Sequence, residues 1–284
     1  MKPGWVACLL LGCAVAQAAP VSVIDDAGQR VTLAAPARRV VSLGPHLTEL
    51  LFAAGGGDAV KGVIRYSDYP AAARTIPVVG DAFGLDFEGL VKMRPDLVLV
   101  WSSGLNDRQQ ARLRSLGLTI FESEIRHAQG IADTLRRLGT LLGHVDTAEG
   151  AARRFESQWR ALGGRQAGKA PLRVFWQLWH EPLMTVNREH LISEAIERCG
   201  GVNVFAALPL LTPTVSWEAA VQVDPQLIAG SGQAGDFAAW RRFPQVSAVR
   251  RDQFALLDGD LIGRMGPRFV DGAAALCDAI DRAR

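Results

Sequence analysis

Short apolar runs that alternate with helical patterns constrain the fold of this chain more than any other feature. Strands are predicted at residues 40–43, 61–64 and 97–101, and helical patterns cover residues 48–54 and 108–116. The run at 97–101 is continuously apolar, which is typical of a parallel strand covered on both faces. The alternation predicts an α/β sheet with right-handed crossovers.

This alternation occurs twice, because the chain carries an internal repeat. A Thr-Glu pair at residues 48–49, which begins a helix closed by glycines, recurs as Ser-Glu at residues 193–194, 145 positions later. Glu88, seven residues before a Pro-x-Leu strand start, recurs as Glu218, 130 positions later. Two matches in the same order predict two copies of one α/β unit.

Between the two copies, the apolar period changes to that of one long helix. The side chains of Ala148, Phe155, Trp159 and Leu162 fall on a single helical face, and two glycines at residues 163–164 end the pattern. The predicted fold class is therefore α/β, with two Rossmann-like lobes, each built on a mainly parallel sheet, joined by one long backbone helix. We predict an N-terminal lobe at residues 19–145, an inter-lobe helix at 146–164 and a C-terminal lobe at 165–284.

Residues 1–18 have the composition of a signal peptide. An apolar stretch at residues 5–16 is too short to span a bilayer, and residues 16–18 form a small-x-small cleavage site. We expect cleavage after Ala18, with lipidation at Cys13 or an uncleaved anchor as the alternatives. No later run of about 18 apolar residues predicts a membrane span.

Cys199 and Cys277 are the two cysteines that remain after the signal. Cysteines of exported proteins are usually paired, so we expect a disulfide between them. Two buried free thiols are the alternative.

Charge and motif content argue against several classes of function. The net charge is only +2, whereas nucleic-acid binding requires a concentrated basic surface. The sequence has no nucleophile elbow, no zinc-protease motif and no phosphate-binding loop, and its five histidines lack metal-ligand spacing. We therefore predict no catalytic residues, no cofactor and no metal site, with a zinc-dependent enzyme as the alternative.

The loops that follow the strands form the expected ligand site. Clefts between lobes, and the carboxyl ends of parallel strands, are preferred places for ligands. Flat aromatic side chains with a few hydrogen-bonding groups suit a large, partly apolar ligand. The loops in question hold Tyr66, Tyr69, Trp101, Trp179, His46, His180, Asp260, Arg264 and Arg268.

Several of these segments resemble a known family. Residues 40–50, 66–70, 94–98 and 199–201 follow the order found in the cobalamin-binding proteins of bacterial importers, which are periplasmic binding proteins with a rigid inter-lobe helix. The resemblance covers essentially the whole mature chain, and the Tyr-Ser-Asp-Tyr-Pro run at 66–70 is its most specific part. It implies a monomeric protein of the periplasm that delivers its ligand to the permease and ATPase complex of an ABC importer.

The resemblance also implies which residues bind a cobalamin-like corrinoid. Thr212 stands where the family has a tryptophan, and Trp179 or Trp217 could replace that ring. His180 is the candidate for contacting the metal of the ligand. A haem or iron-siderophore ligand is the alternative, since part of the resemblance is shared with proteins that bind those ligands. By position, the implied contacts are Tyr66, Phe83, Trp101, Met184, Asp260 and Arg264, to which we add Trp179 and His180.

Finally, the resemblance implies one docking carboxylate on each lobe. Glu88 and Glu218 match the family's positions that pair with arginines of the permease. They are also the two glutamates that the internal repeat relates.

Overall fold

The computed structural model describes residues 19–163 and 169–284, and the signal peptide expected at residues 1–18 lies outside them. The first lobe and the connecting helix comprise β1 (Val21–Ile24), β2 (Arg30–Leu33), β3 (Val40–Leu43), α1 (Pro45–Ala53), β4 (Val60–Val63), α2 (Phe87–Lys92), β5 (Leu97–Trp101), α3 (Asp107–Ser115), β6 (Ile120–Ser123), α4 (Ala128–Leu142) and α5 (Val145–Gly163).

The second lobe comprises β7 (Leu172–Gln177), β8 (Trp179–His180), β9 (Leu183–Met184), α6 (Leu191–Arg198), β10 (Gly201–Asn203), α7 (Trp217–Gln222), β11 (Leu227–Gly230), α8 (Ser247–Arg250), β12 (Phe254–Leu256), α9 (Gly259–Ile262) and α10 (Phe269–Arg282).

Each lobe is built on a four-stranded parallel sheet, as the apolar runs predict. The strand order is β4-β3-β5-β6 in the first lobe and β10-β7-β11-β12 in the second. The first strand of each sheet therefore lies second in the order, and the two topologies are the same. Two antiparallel hairpins, β1-β2 and β8-β9, complete the strands.

The internal repeat is confirmed in the backbone itself. Gly55 and Gly200, 145 positions apart, both close a helix with positive φ angles of 88° and 73°. Arg94 and Asp224, 130 positions apart, both adopt positive φ angles of 46° and 43° just before the proline that leads into a sheet strand. Positive φ is uncommon for residues other than glycine, so its recurrence at equivalent places shows that the two units share one backbone path.

The helix α5 connects the two lobes and spans 19 residues, or roughly 28 Å at 1.5 Å per residue. All the side chains predicted to share one face are buried. A second helix, α4, which the sequence analysis did not predict, packs beside it. Arg136 of α4 lies 2.7 Å from both Glu149 and Glu156 of α5. Across residues 19–163 and 169–284, no helix combines the length and apolar character of a membrane span.

The first helix starts earlier than predicted. We expected residues 48–54, whereas α1 begins at Pro45. Proline fits the first turn of a helix because the N–H that it lacks would have no intrahelical partner there.

The predicted disulfide between Cys199 and Cys277 is confirmed. It joins the end of α6 to α10, and both residues are buried in the core of the second lobe. The domain boundaries that we placed around the connecting helix remain a prediction.

Candidate functional site

A cavity of about 400 Å³ opens on the first lobe, where β3, β4 and β5 end; we call it the N-terminal cavity. Tyr66, Phe83 and Trp101, three of the predicted ligand contacts, line it together with Arg65 and Asp81. Phe83 is 95% exposed and Tyr66 is 73% exposed. Large aromatic surfaces left uncovered beside a cavity are available to a ligand.

A tight turn presents Phe83 to solvent. The Asp81 carboxylate accepts hydrogen bonds from the backbone N–H groups of Phe83, at 3.0 Å, and of Gly84, at 3.1 Å. These two bonds, followed by the nearby Arg65, hold the pKa of Asp81 below its usual range. The carboxylate is therefore ionised at neutral pH, and the turn keeps its shape.

A second cavity, of about 410 Å³, lies between the two lobes; we call it the inter-lobe cavity. The first lobe contributes Trp101, Glu124 and Arg126 to its wall. Trp101 also lines the N-terminal cavity, so its half-buried indole is the partition between the two. The second lobe contributes Leu178, His190, Thr212, Ser231, Met265 and Phe269, among others.

The imidazole of His46 packs against the indole of Trp101. The two rings meet edge to face, with centroids 5.2 Å apart. Burial, with a smaller contribution from the positive charge of Arg264, lowers the pKa of His46 to about 3. The imidazole is therefore neutral, and its Nε2 has no hydrogen-bond partner among the described residues.

Arg264, a predicted ligand contact, joins the two lobes. Its Nη1 lies 3.1 Å from Glu49 and 2.8 Å from Asp68 of the first lobe, and its Nη2 lies 2.7 Å from Asp260 of its own lobe. The side chain is only 11% exposed. The guanidinium thus contacts three carboxylates at the edge of the cleft.

Arg268 reinforces this contact from the same loop. It forms a bidentate pair with Glu49, at 2.9 Å and 2.6 Å, and its guanidinium lies 3.9 Å from the centre of the Tyr69 ring. The Glu49 side chain is 1% exposed. We refer to Glu49, Asp68, Asp260, Arg264 and Arg268 as the inter-lobe cluster.

Sequence reasoning placed Arg264, Arg268 and Asp260 at the cleft but missed Glu49 and Asp68. One signal for Glu49 was present, because it is half of the Thr-Glu pair that the repeat relates to residues 193–194. Asp68 stood inside the Tyr-Ser-Asp-Tyr-Pro run, where only the aromatic residues were chosen.

The other three predicted contacts lie on the β8-β9 hairpin, which directly follows Leu178 of the inter-lobe cavity wall. Trp179 is 55% exposed, and its Nε1 donates a hydrogen bond to the carbonyl of Glu181 at 2.8 Å. Its ring packs at a tilt against that of His180, with centroids 5.3 Å apart, and the Nδ1 atom of His180 lies 3.6 Å from the Asp236 carboxylate. Met184 pairs with Trp179 across the hairpin. The described walls of the two cavities do not include these three, so their contact with a ligand remains a prediction.

The two predicted docking glutamates are exposed at equivalent helix starts. Glu88 is the second residue of α2, where it pairs with Lys92 at 2.7 Å. Glu218 is the second residue of α7, and hydrogen bonds from its own backbone N–H and from the Ser216 hydroxyl lower its pKa. Both lobes therefore display a carboxylate at the same place in the repeated unit.

Within the part of the chain that the structure describes, no three or more His, Cys, Asp or Glu side chains form a group that could hold a metal ion.

Known proteins resemble this chain over most of its length. The model of the periplasmic binding protein family matches residues 40–261. Vitamin B12-binding proteins of Vibrio cholerae and Yersinia pestis are 35% and 36% identical to it; each alignment covers 85% of this chain, and 88% and 85% of the respective relatives.

Solved structures of periplasmic binding proteins also resemble this chain over most of its length. The periplasmic vitamin B12 binding protein BtuF of Vibrio cholerae superposes with a TM-score of 0.79 at 34% identity, covering 87% of this chain and 98% of its own. The periplasmic heme-binding protein BhuT, in complex with two hemes, superposes with a TM-score of 0.76 at 24% identity, covering 86% of this chain and 98% of its own. At that lower identity the likeness shows the fold alone.

Proposed function

The chain belongs to the periplasmic binding protein family, and on that basis we propose that it captures vitamin B12 or a related corrinoid in its inter-lobe cleft for delivery to an ABC importer. The observation that carries the proposal is the pair of adjoining cavities that share Trp101, with Tyr66 and Phe83 uncovered beside them. A broad, partly apolar ligand could occupy both cavities at once and cover those rings. The relatives named vitamin B12-binding proteins support this choice of ligand.

Affinity in this proposal comes mainly from burial of aromatic surface. Each aromatic side chain can bury roughly 150–250 Å², and apolar burial contributes about 25 cal/mol per Å². Arg65 and Asp81 in the N-terminal cavity, and Glu124 and Arg126 in the inter-lobe cavity, can hydrogen-bond the amide groups of a corrinoid. An analogue without those amides would leave buried polar groups unpaired, which favours specificity.

Three further predicted contacts depend on the size of the ligand. Trp179, His180 and Met184 touch the ligand only if it extends from the cavities to the β8-β9 hairpin. In that case Trp179 supplies the aromatic face that Thr212 lacks. The protein performs no chemistry on its ligand in this proposal.

A titration of the mature protein tests the ligand. Cyanocobalamin, cobinamide, haemin and a ferric siderophore are added in turn, and binding is read by tryptophan fluorescence and by calorimetry. We expect saturable binding of at least one corrinoid and weaker binding after Phe83→Ala. Leu210→Ala, which removes an exposed side chain outside both described cavity walls, is the matched control. Binding of haemin or the siderophore without either corrinoid would favour the alternative ligand class.

The location that fits this function is the periplasm, where the protein acts as a monomer. The Cys199–Cys277 disulfide supports an exported location, because such bonds persist in oxidising compartments. A cleaved signal at residues 1–18 would account for export.

Glu88 and Glu218 are the proposed contacts with the permease. Two exposed, repeat-related carboxylates suit a transporter made of two similar halves, each offering a basic side chain. The double variant Glu88→Arg/Glu218→Arg should abolish corrinoid uptake into vesicles that contain the ABC importer, and it should leave ligand affinity unchanged. Glu197→Arg, an exposed reversal elsewhere on the second lobe, is the control. A loss of ligand affinity in the double variant would show instead that these residues act on the cleft.

A further inference from the structure

Glu49 and Glu194 occupy equivalent positions in the repeat, and each contacts the opposite lobe. Glu49 lies on α1 of the first lobe and binds Arg264 and Arg268 of the second. Glu194 lies on α6 of the second lobe, 145 positions later, and accepts a 2.7 Å hydrogen bond from the backbone N–H of Ala128. Ala128 is the first residue of α4, which packs in the first lobe.

The contact made by Glu49 is the more demanding of the two. A carboxylate that is 1% exposed is costly to bury unless its oxygens are fully paired. Both oxygens are satisfied here, Oε1 by Arg264 and Arg268 and Oε2 by Arg268. Because both arginines belong to the other lobe, separation of the lobes would break every ion pair that Glu49 makes. The cluster therefore favours one spacing of the lobes.

The contact made by Glu194 is more exposed and less charged. Its side chain is 28% exposed, and its partner is a backbone N–H at the start of a 15-residue helix. The partial positive charge of a helix start favours a carboxylate, and the bond satisfies a donor that has no intrahelical partner. The Nδ1 atom of His127 lies 3.9 Å from the same carboxylate.

Both contacts stand next to residues that line the inter-lobe cavity. Met265 lies between Arg264 and Arg268, and Arg126 lies two residues before Ala128. Movement of either contact would therefore move part of the cavity wall. The two contacts join the lobes at two separate places, Glu49 to the loop before α10 and Glu194 to the start of α4, so together they restrain the lobes more than either does alone.

We propose that Glu49 and Glu194 are positioning residues that fix the width of the ligand cleft, Glu49 through Arg264 and Arg268, and Glu194 through the start of α4. The Glu49 contact is the stronger restraint. This inference concerns the geometry of the cleft and holds for whichever ligand occupies it.

Pulsed electron paramagnetic resonance on the mature protein tests the proposal. Nitroxide labels are attached at Lys92→Cys and Gln222→Cys, two exposed positions at the ends of the equivalent helices α2 and α7. Glu49→Gln keeps the side-chain shape and removes the charge, and should broaden the distance distribution and shift its mean. Glu194→Gln should do the same to a smaller extent.

Glu197→Gln is the matched control, because it removes an exposed carboxylate from the same helix as Glu194. Its distribution should coincide with that of the labelled parent. Identical distributions for the parent and for Glu49→Gln would overturn the proposal, and identity for Glu194→Gln alone would overturn its second half. A purely structural role would lower the thermal midpoint without moving the distances.

If Glu49→Gln does not fold, as judged by near-ultraviolet circular dichroism, Arg268→Gln replaces it. That variant removes the bidentate partner and leaves Arg264 on Glu49. We expect a broader distribution in this variant as well, and an unchanged one would contradict the proposal. The measurement requires no ligand, so failure of the corrinoid titration would not affect its outcome.

Discussion

The two lobes share a scaffold and differ at the cleft. Their sheets have the same strand order, and Arg94 and Asp224 adopt positive φ angles at equivalent positions. At the cleft, however, the first lobe presents the rings of Tyr66, Phe83 and Trp101, whereas the second presents Thr212 and the charged Arg264. The lobes have therefore diverged in the loops that end the strands, where a change in chemistry does not disturb the sheet.

The lobes also differ in how they are stabilised. Among the described residues, the second lobe alone contains a disulfide. Each lobe has one histidine near the cleft whose pKa is lowered by burial, the fully buried His46 in the first and the half-buried His190 in the second. Four tests show how far the two lobes resemble each other, and we give them from the largest expected effect to the smallest.

Loss of the disulfide should affect the second lobe most. Replacing Cys199 and Cys277 by Ala opens a link across 78 residues, which should lower the free energy of unfolding by about 4 kcal/mol. Urea unfolding gives the total, and hydrogen exchange resolved along the chain assigns it to a lobe. Equal loss of protection in both lobes would show that they unfold as one unit and that the comparison does not extend to stability.

Loss of the Trp101 indole, which lines both cavities, should weaken ligand binding. Trp101→Ala should weaken corrinoid binding by about 1–3 kcal/mol, or roughly 5- to 150-fold, because the indole lines both cavities. Trp179→Ala, on the hairpin outside the described cavity walls, is the control and should have the smaller effect. Calorimetric titration with cyanocobalamin measures both. Lower stability with unchanged affinity would assign Trp101 to the core alone.

Acid should destabilise both lobes through His46 and His190, the two histidines whose pKa values are lowered. Burial lowers the pKa of His46 to about 3 and that of His190 to about 4, below the ordinary value of 6.5. A lowered pKa contributes stability that is complete above pH 6.5 and is lost as the pH falls towards the folded-state pKa. Each histidine should therefore account for a loss of up to about 2 kcal/mol between pH 7 and pH 5.

Substitution separates the two histidine contributions. His46→Gln and His190→Asn should each flatten the dependence of the unfolding free energy on pH, measured by urea titration at several pH values. The Nδ1 atom of His190 also accepts a hydrogen bond from the backbone N–H of Ile192, and the side-chain oxygen of asparagine can accept the same bond. If a variant kept the parent's pH dependence of the unfolding free energy, burial would not lower the pKa of the histidine that it replaces.

Adding a ring to the second lobe should make the two cleft faces more alike. Thr212→Trp places an aromatic side chain on the wall of the inter-lobe cavity and should strengthen corrinoid binding by about 1 kcal/mol. Thr214→Trp, exposed two residues further on and outside the described cavity walls, is the control. Weaker binding by Thr212→Trp alone would indicate that the ligand needs the space that Thr212 leaves.

Much of the fold could be predicted from local patterns. The strand runs at residues 40–43 and 97–101 and the apolar face of α5 are periodic over one element, and each was correct. The β8-β9 hairpin was missed because strands of two residues are too short to show a period. The helix α4 was not predicted, although it is longer than α1.

The candidate site was predictable only in part. Strand position placed Tyr66 and Trp101 at the cleft, the family resemblance added Phe83, and the structure brings all three to one cavity. The ion pair between Arg264 and Glu49 was not predicted, because Glu49 lies 215 residues earlier in the chain. No local pattern connects two residues at that separation, and only the docking of the lobes does so.

The sequence by itself determined the repeated unit, the helix that connects its copies and the two cysteines available for pairing. These follow from hydrophobic periodicity, helix-ending glycines and cysteine count, which act within single elements or through composition. The tertiary structure alone decided that Trp101 divides two cavities and that Glu49 is buried against Arg264 and Arg268. The physical reason is that burial and ion pairing across the cleft depend on how two separately formed lobes pack, and that packing is not encoded in any one element.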